Sequence, residues 1–292
     1  MVRILRLIYS HPFNRNNKLG AVIRFIKWQL SSRLWGGSFV FNWINDAKLI
    51  ISNGMTGATG NIYVGLMEYE DMSFLLHYIQ QDDLFFDVGA NVGVYTILAS
   101  KVRGARTVSI EPLPITYSKL IDNIQINKLK NVTCKNIGLS FEKSKLFFTS
   151  SKDTMNRVAL IDDDDRQLVL VDTLDSLCQD YGVPKIIKID VEGYETNVLK
   201  GAQSILSDDN LEVIIIELNG SGDKFGFNDK DIHEDLLKAG FLSYSYAPFE
   251  RRIIKLNSYG THNTIYIKTK AFEKIKNLVK NSEKFECNGI HV

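Results

Sequence analysis

The sequence predicts an open α/β sheet, mostly parallel, with helices on both faces, a C-terminal antiparallel strand and an N-terminal helical and irregular extension. Three observations carry that expectation. Short apolar runs alternate with amphipathic stretches of helical length from Glu70 onward. Four of the runs, Leu84 to Val88, Thr107 to Ile110, Lys185 to Ile189 and Val213 to Leu218, are followed by or include Gly, Glu or Asp at their ends, as buried strands feeding a crevice do. Connections long enough to hold a helix force parallel pairing with right-handed crossovers.

Composition sets the outer bounds. A chain of 292 residues with 45% apolar and 24% charged residues is ordinary globular material, which excludes disorder, collagen and coiled coil. Cys134, Cys178 and Cys287 form no Cys-x-x-Cys pair, so they read as reduced thiols of a cytoplasmic protein rather than a disulfide framework or zinc site. The charge is lopsided. No acid precedes Asp46, and Arg3, Arg6, Arg15, Lys18, Arg24, Lys27 and Arg33 give the first 45 residues +7 against −6 for the remainder. Arg6 interrupts the apolar run from Ile4 to Tyr9, and the longest uncharged stretch, Leu49 to Met67, carries four glycines and several polar residues. Neither a secretory signal nor a membrane span is expected. The chain divides into a basic extension or cap, 1–60, and a main domain, 61–292.

The elements follow in order. Ile23, Phe25, Ile26, Leu30 and Leu34 recur with helical spacing among basic residues, which predicts an amphipathic helix over Lys18 to Leu34. Its stripe is expected on the core as a cap, with peripheral contact to the inner membrane surface as the alternative. Residues 36–65 are rich in Gly, Asn, Ser and Thr and read as irregular, with short β-like runs such as Leu49 to Ser52. A helical stripe at Phe74, Leu75, Tyr78 and Ile79 leads into the strand Leu84 to Val88. Gly93 to Lys101 is then helical, Thr107 to Ile110 extended, Pro114 to Asn127 helical with proline in its first turn, and Val132 to Asn136 extended. Residues 139–171 are hairpin material with a solvated acidic turn at Asp162 to Asp165. Lys185 to Ile189, helix Glu195 to Leu206, Val213 to Leu218, helix Asp229 to Ala239, and strands Phe241 to Ser245 and Thr264 to Lys268 complete the pattern.

Chemistry-bearing residues gather at the strand ends. Asp87-Val-Gly89-Ala90-Asn91-Val-Gly93 makes a strand-to-helix turn in which glycine lets the backbone approach a ligand. Its Asp-x-Gly-x-x-x-Gly spacing differs from the Gly-x-Gly-x-x-Gly of nicotinamide folds, and an acid at the strand tip repels a pyrophosphate but suits a cationic ligand. Glu111-Pro112 follows Gly93 by eighteen positions, where a carboxylate can accept from both hydroxyls of a ribose. The two together point to an adenosine-containing cofactor. Asn136 stands where an adenine edge could be contacted, or is a turn asparagine. Asp190 and Glu192 follow the fourth strand and, by strand alternation, project the same way into the crevice. Glu217 is a further strand-tip carboxylate.

These motifs, with Thr173-Leu-Asp175, Val198-Leu-Lys-Gly-Ala202, Leu120, Asn123 and Asn127, resemble the FkbM-type methyltransferases over about residues 60 to 268. The resemblance implies a seven-stranded class I (Rossmann-like) fold using S-adenosylmethionine, with O-methylation of a hydroxyl on a sugar, glycan or related natural product. It implies that Asp87, Gly89, Ala90, Asn91 and Gly93 surround the methionine part of the cofactor, that Glu111 and Pro112 hold the ribose, that Asp190 lies near the transferring methyl, and that Glu192 lines the acceptor pocket. Tyr95 and Thr96 are expected in the same cavity.

For the chemistry, a sugar hydroxyl needs its proton taken as the new bond forms, and Asp190 is the first candidate base, Glu192 the second. His262, ahead of the last strand, is a third candidate facing the crevice. A divalent ion is compatible with Asp190, Glu192 and Glu217, but no metal ligand is assigned. The acceptor is expected to be a small molecule or glycan. No nucleic acid is expected, since no Asn/Asp-Pro-Pro-Tyr/Phe segment is present to grip a flipped base. A non-catalytic nucleotide-binding scaffold and a nicotinamide oxidoreductase stand as the alternatives.

Overall fold

The computed structural model describes residues 2–34, 36–151 and 156–292. Two helices, α1 (Val2–Ser10) and α2 (Lys18–Leu34), precede a hairpin of β1 (Ser38–Asn42) and β2 (Lys48–Ser52), then α3 (Thr56–Val64) and α4 (Tyr69–Tyr78). The alternating part runs β3 (Leu84–Val88), α5 (Val94–Ile97), β4 (Arg106–Ile110), α6 (Pro114–Ile126) and β5 (Val132–Lys135). A side arm of β6 (Gly138–Leu139), β7 (Ser144–Thr149) and β8 (Arg166–Asp172) is followed by α7 (Leu174–Tyr181), β9 (Ile186–Ile189), α8 (Glu195–Lys200), α9 (Gln203–Ser207) and β10 (Val213–Glu217). The chain closes with α10 (Asp229–Lys238), β11 (Phe241–Ala247), β12 (Arg252–Lys255), β13 (Asn263–Lys268), α11 (Phe272–Asn281) and a short pair, β14 (Glu286–Cys287) with β15 (Ile290–His291).

The main sheet has the order β12-β11-β13-β10-β9-β3-β4-β5. Its β10-β9-β3-β4-β5 half is parallel, and β13 inserts antiparallel between β10 and β11. This is the predicted sheet with one strand more than the seven expected, because β12 adds to the edge through β11. The inner strands are buried on both faces, which is why β3, β9 and β10 read as apolar runs, each carrying a single charged residue, Asp87, Lys188 or Glu217. The expected helix from Glu195 to Leu206 is broken at Gly201, where a side chain would meet the Ser140 carbonyl oxygen at 2.2 Å. Residues 139–171 do form the hairpin of β7 and β8, although 152–155 lie outside the described residues. The acidic turn is not wholly solvated: Asp163 pairs with Arg157 at 2.7 Å and both are largely buried.

The N-terminal segment joins the core through its inner face. Phe25 and Trp28 of α2 are buried, Phe25 edge-on to Tyr63 at 5.1 Å and Trp28 edge-on to Phe39 at 5.6 Å. The expected stripe is otherwise reversed: Ile23, Ile26, Leu30 and Leu34 face solvent. Asn123 and Asn127 of α6 stitch the hairpin to the main domain, Asn123 accepting from the Ile50 N–H at 2.6 Å and donating to the Val92 carbonyl at 2.8 Å, Asn127 bonding both backbone groups of Lys48. No helix among the described residues is long and apolar enough to cross a membrane.

Candidate active site

The loops leaving β3, β4 and β9 converge at the carboxyl edge of the sheet, where the backbone ties them together. Gly89 and Ala90 donate to the Ile110 carbonyl at 3.0 and 2.9 Å, and Asp190 donates to the Val88 carbonyl at 3.0 Å. Gly89 sits at φ +80°, and a Cβ there would lie 1.8 Å from the Asp190 carbonyl oxygen, so only glycine lets these two loops close on each other. Between them is a cavity of about 290 Å3.

Of the residues expected at the site, Asp87, Gly89, Ala90, Asn91, Tyr95, Glu111, Pro112, Asp190 and Glu192 line this cavity. Gly93, Thr96, Asn136 and His262 do not. Gly93 is the turn residue at φ +90°, with Leu120 filling the space a side chain would need. Thr96 is buried behind Asp87, donating from its hydroxyl to Oδ2 at 2.6 Å and sharing a second hydrogen bond with Ser109. Asn136 turns back to donate to the carbonyls of Glu111 and Pro112 at 2.9 and 3.0 Å. His262 is exposed, and its carbonyl accepts from the N–H of Leu218, the residue after β10. Two other histidines are core residues, His77 bonded to the Tyr246 hydroxyl and His233 to that of Tyr266.

Glu111 is not the free strand-tip carboxylate that a solvent-facing position would give. It is 6% exposed, with Oε2 accepting from the Asn91 N–H and Oε1 from the Leu113 N–H, both at 3.0 Å. Burial pushes its carboxyl up to about 7, the two amides opposing. Each oxygen keeps a lone pair for a ligand hydroxyl. Asp87, likewise buried, is pushed up to about 6 against the pull of Thr96 and Lys188.

Also on the cavity wall, Asp190, Glu192 and Glu217 bring carboxylate oxygens within 4.8 Å of one another. Glu192 reaches this cluster from a turn at φ +56° rather than by strand alternation, since β9 ends at Ile189. Glu195 holds that turn by accepting from the Val191 and Gly193 amides at 3.0 and 3.2 Å. Lys188 donates to Asp190 Oδ2 at 2.8 Å. Burial and then the Asp190 charge push Glu192 up to about 7, and burial with Asp190 and Glu192 pushes Glu217 up to about 8. Oε2 of Glu217 is buried without a hydrogen-bond partner among the described residues. Three hard oxygen donors at this spacing match what a divalent cation takes, while the Lys188 ammonium already neutralises one of them.

Several lining residues lay beyond the sequence reading. Glu68, ahead of α4, accepts from the Tyr95 hydroxyl at 2.6 Å and from Asn263 Nδ2 at 2.9 Å. Gly57 and Ala58 come from α3, and Phe148, Asn156 and Val158 from the side arm. Lys188 had a visible signal, a lysine inside an apolar buried strand. Among the described lining residues it is the one Lys or Arg, against Glu68, Asp87, Glu111, Asp190, Glu192 and Glu217. A cavity so unbalanced favours a cationic occupant over a phosphate-bearing one.

The sequence was compared with known proteins. The family model of the methyltransferase FkbM domain matches residues 87–243. The hexuronic acid methyltransferase AglP of Haloferax volcanii is 28% identical over 174 residues, which cover 59% of this chain and 69% of that protein. Among solved structures, precorrin-6y C5,15-methyltransferase from Geobacter metallireducens superposes with a TM-score of 0.41 at 15% identity, over 69% of this chain and 88% of that one. A Streptococcus mutans protein in complex with SAH does so with a TM-score of 0.38 at 14% identity, over 68% and 95%.

Proposed function

The chain belongs to the methyltransferase FkbM domain family, and from that premise we propose that it methylates a hydroxyl of a sugar or glycan. It is an S-adenosylmethionine-dependent methyltransferase of class I, Rossmann-like architecture. S-adenosylmethionine supplies an electrophilic methyl group on a sulfonium, together with a cationic ammonium and a ribose. The residues present fit that group. The acidic, glycine-cradled wall of the cavity suits its positive charges, and here the Asp87 to Asn91 loop would hold the methionine portion and the Glu111 carboxylate would accept from ribose hydroxyls.

The observation that carries the hydroxyl reading is the meeting of Asp190, Glu192 and Glu217 within 4.8 Å on the cavity wall. A neutral hydroxyl is a poor nucleophile, and a carboxylate within hydrogen-bond reach takes its proton as the bond forms. Lys188 occupies one oxygen of Asp190 and fixes that side chain, which makes Asp190 the positioning acceptor for the substrate hydroxyl. Glu192, raised to about 7, has the basicity a proton acceptor needs near neutral pH, and Glu217 shares its charge. The relative named for its action on a hexuronic acid supports a sugar as the acceptor class. Residues 1–60 act as a cap on the catalytic domain, to whose cavity Gly57 and Ala58 contribute.

The test is transfer of labelled methyl from S-adenosylmethionine into cell-envelope glycan extracts, followed by mild alkali. Label retained after alkali marks a methyl ether and supports the proposal. Label released by alkali marks a methyl ester on a uronic acid and contradicts it.

A further inference from the structure

The outward face of α2 is apolar. Leu19, Ile23, Ile26, Leu30 and Leu34 recur every three or four residues along one stripe, each between 43% and 73% exposed. Ala21, Phe25, Trp28 and Ser32 on the opposite face are buried, so this helix is apolar on both sides. A single exposed Leu or Ile is ordinary, but five aligned along about 22 Å of helix form a continuous patch of the kind that marks an interaction surface. Tyr9 of α1, 59% exposed, meets its start, with Lys18 Nζ 3.9 Å above the ring.

The charge around this stripe has one sign. Arg6, Arg15, Lys18, Lys27 and Arg33 are exposed, and no acidic residue occurs in the first 45 positions. Arg24 is the exception among the basic residues, turned inward to donate to Asn14 Oδ1 at 2.7 Å and to the Tyr63 carbonyl at 3.1 Å.

We propose that α2 docks on an anionic lipid bilayer, its stripe at the boundary of headgroups and acyl chains and its basic side chains on lipid phosphates. Lysine and arginine beside an apolar face lay their stems along it and carry the charge to headgroup level. Complementary charge selects a bilayer over a second copy of this chain, because two such faces would oppose basic residues with no acid in the segment to answer them. The surface lies close to the chemistry. The inner face of α2 packs on Tyr63 of α3, and Gly57 and Ala58 of that same helix line the cavity. The inference does not depend on the identity of the acceptor.

The test is flotation of the full chain with vesicles of phosphatidylcholine alone or mixed equally with phosphatidylglycerol. At low salt the protein floats with the anionic vesicles and salt weakens the association. The Ile26→Ser/Leu30→Ser double variant, exposed at both positions, loses about tenfold or more in partitioning while still binding cofactor, and Lys27→Gln/Arg33→Gln reduces the salt-dependent part. Absence of flotation at low salt overturns the proposal, as does undiminished flotation of the Ile26→Ser/Leu30→Ser variant. A dimer in lipid-free buffer that the same substitutions dissociate would reassign the face to self-association.

Discussion

The buried ammonium of Lys188 donates to Oδ2 of Asp190 at 2.8 Å, two residues along the same strand end. The same ammonium lies over the Tyr95 ring, Nζ 4.8 Å from its centroid. Burial alone would lower the Lys188 pKa, but Asp190 and then Glu68 hold it above the ordinary value. The cation therefore remains charged and keeps one carboxylate of the cluster fixed.

Replacing Lys188 by Met removes that cation and leaves Asp190, Glu68 and Asp87 facing one another. Loss of one partner of a buried pair costs about 3 kcal/mol or more in stability. Thermal unfolding of Lys188→Met is expected to show that loss and turnover to fall with it. A variant as stable as the parent would show that the pair contributes nothing.

Glu111 holds two backbone amides, and the proposed cofactor site gives its oxygens a ribose as well. Its removal in Glu111→Ala strands the Asn91 and Leu113 amides and costs about 1–3 kcal/mol of stability. Cofactor affinity is expected to fall by about 2 kcal/mol as the ribose loses its acceptor. Calorimetric titration of the folded variant with S-adenosylmethionine separates the two effects, and unaltered affinity would remove Glu111 from the cofactor site.

The cavity carboxyls fix a pH dependence. Asp87 at about 6, Glu111 and Glu192 at about 7 and Glu217 at about 8 all lie above their ordinary values, so each binds its proton more tightly folded than unfolded. The stability this provides is present in full below about pH 4 and is lost as pH rises through 6 to 8. These groups alone make the melting temperature of the ligand-free protein fall between pH 5 and 8. Saturating S-adenosylmethionine, a cation placed among them, is expected to flatten that slope. A melting temperature that rises across this window would mean the carboxyls are ionised without strain.

Gly89→Ala tests the closure of the two loops. The Cβ meets the Asp190 carbonyl at 1.8 Å and the φ of +80° disfavours any side chain, so a destabilisation of about 2 kcal/mol or more is expected along with loss of cofactor binding. Wild-type binding by this variant, measured by titration, would show that the loops need not touch.

What the sequence revealed depended on whether the cause was local. β3, β9 and β10 are largely apolar runs because both faces are buried, and the glycine and acid residues at their ends stand in the sequence beside them. The Asp87 to Gly93 turn, Glu111 and the Asp190 to Glu195 loop could be located for that reason. Glu68 could not, because it reaches Tyr95 and Asn263 only through the packing of α4 against the far edge of the sheet. Helical spacing placed α2 at its observed ends but not its orientation, since a helix apolar on both sides offers no rule for which side packs. His262 and Asn136 do not line the cavity, the first being exposed and the second turned back onto the carbonyls of Glu111 and Pro112, and position beside a strand does not fix either outcome.

The most direct test is turnover by Asp190→Asn and Glu192→Gln, measured with the glycan acceptor and set against S-adenosylmethionine affinity in the same preparations. Both substitutions keep shape and remove charge at the cluster of three carboxylates. Turnover is expected to fall by about 10²–10⁴ in Glu192→Gln, and to a similar or lesser degree in Asp190→Asn, while cofactor affinity changes little. Full turnover in both variants would contradict it, and a collapse of cofactor affinity in step with turnover would move these residues into the cofactor site and leave the hydroxyl without its base.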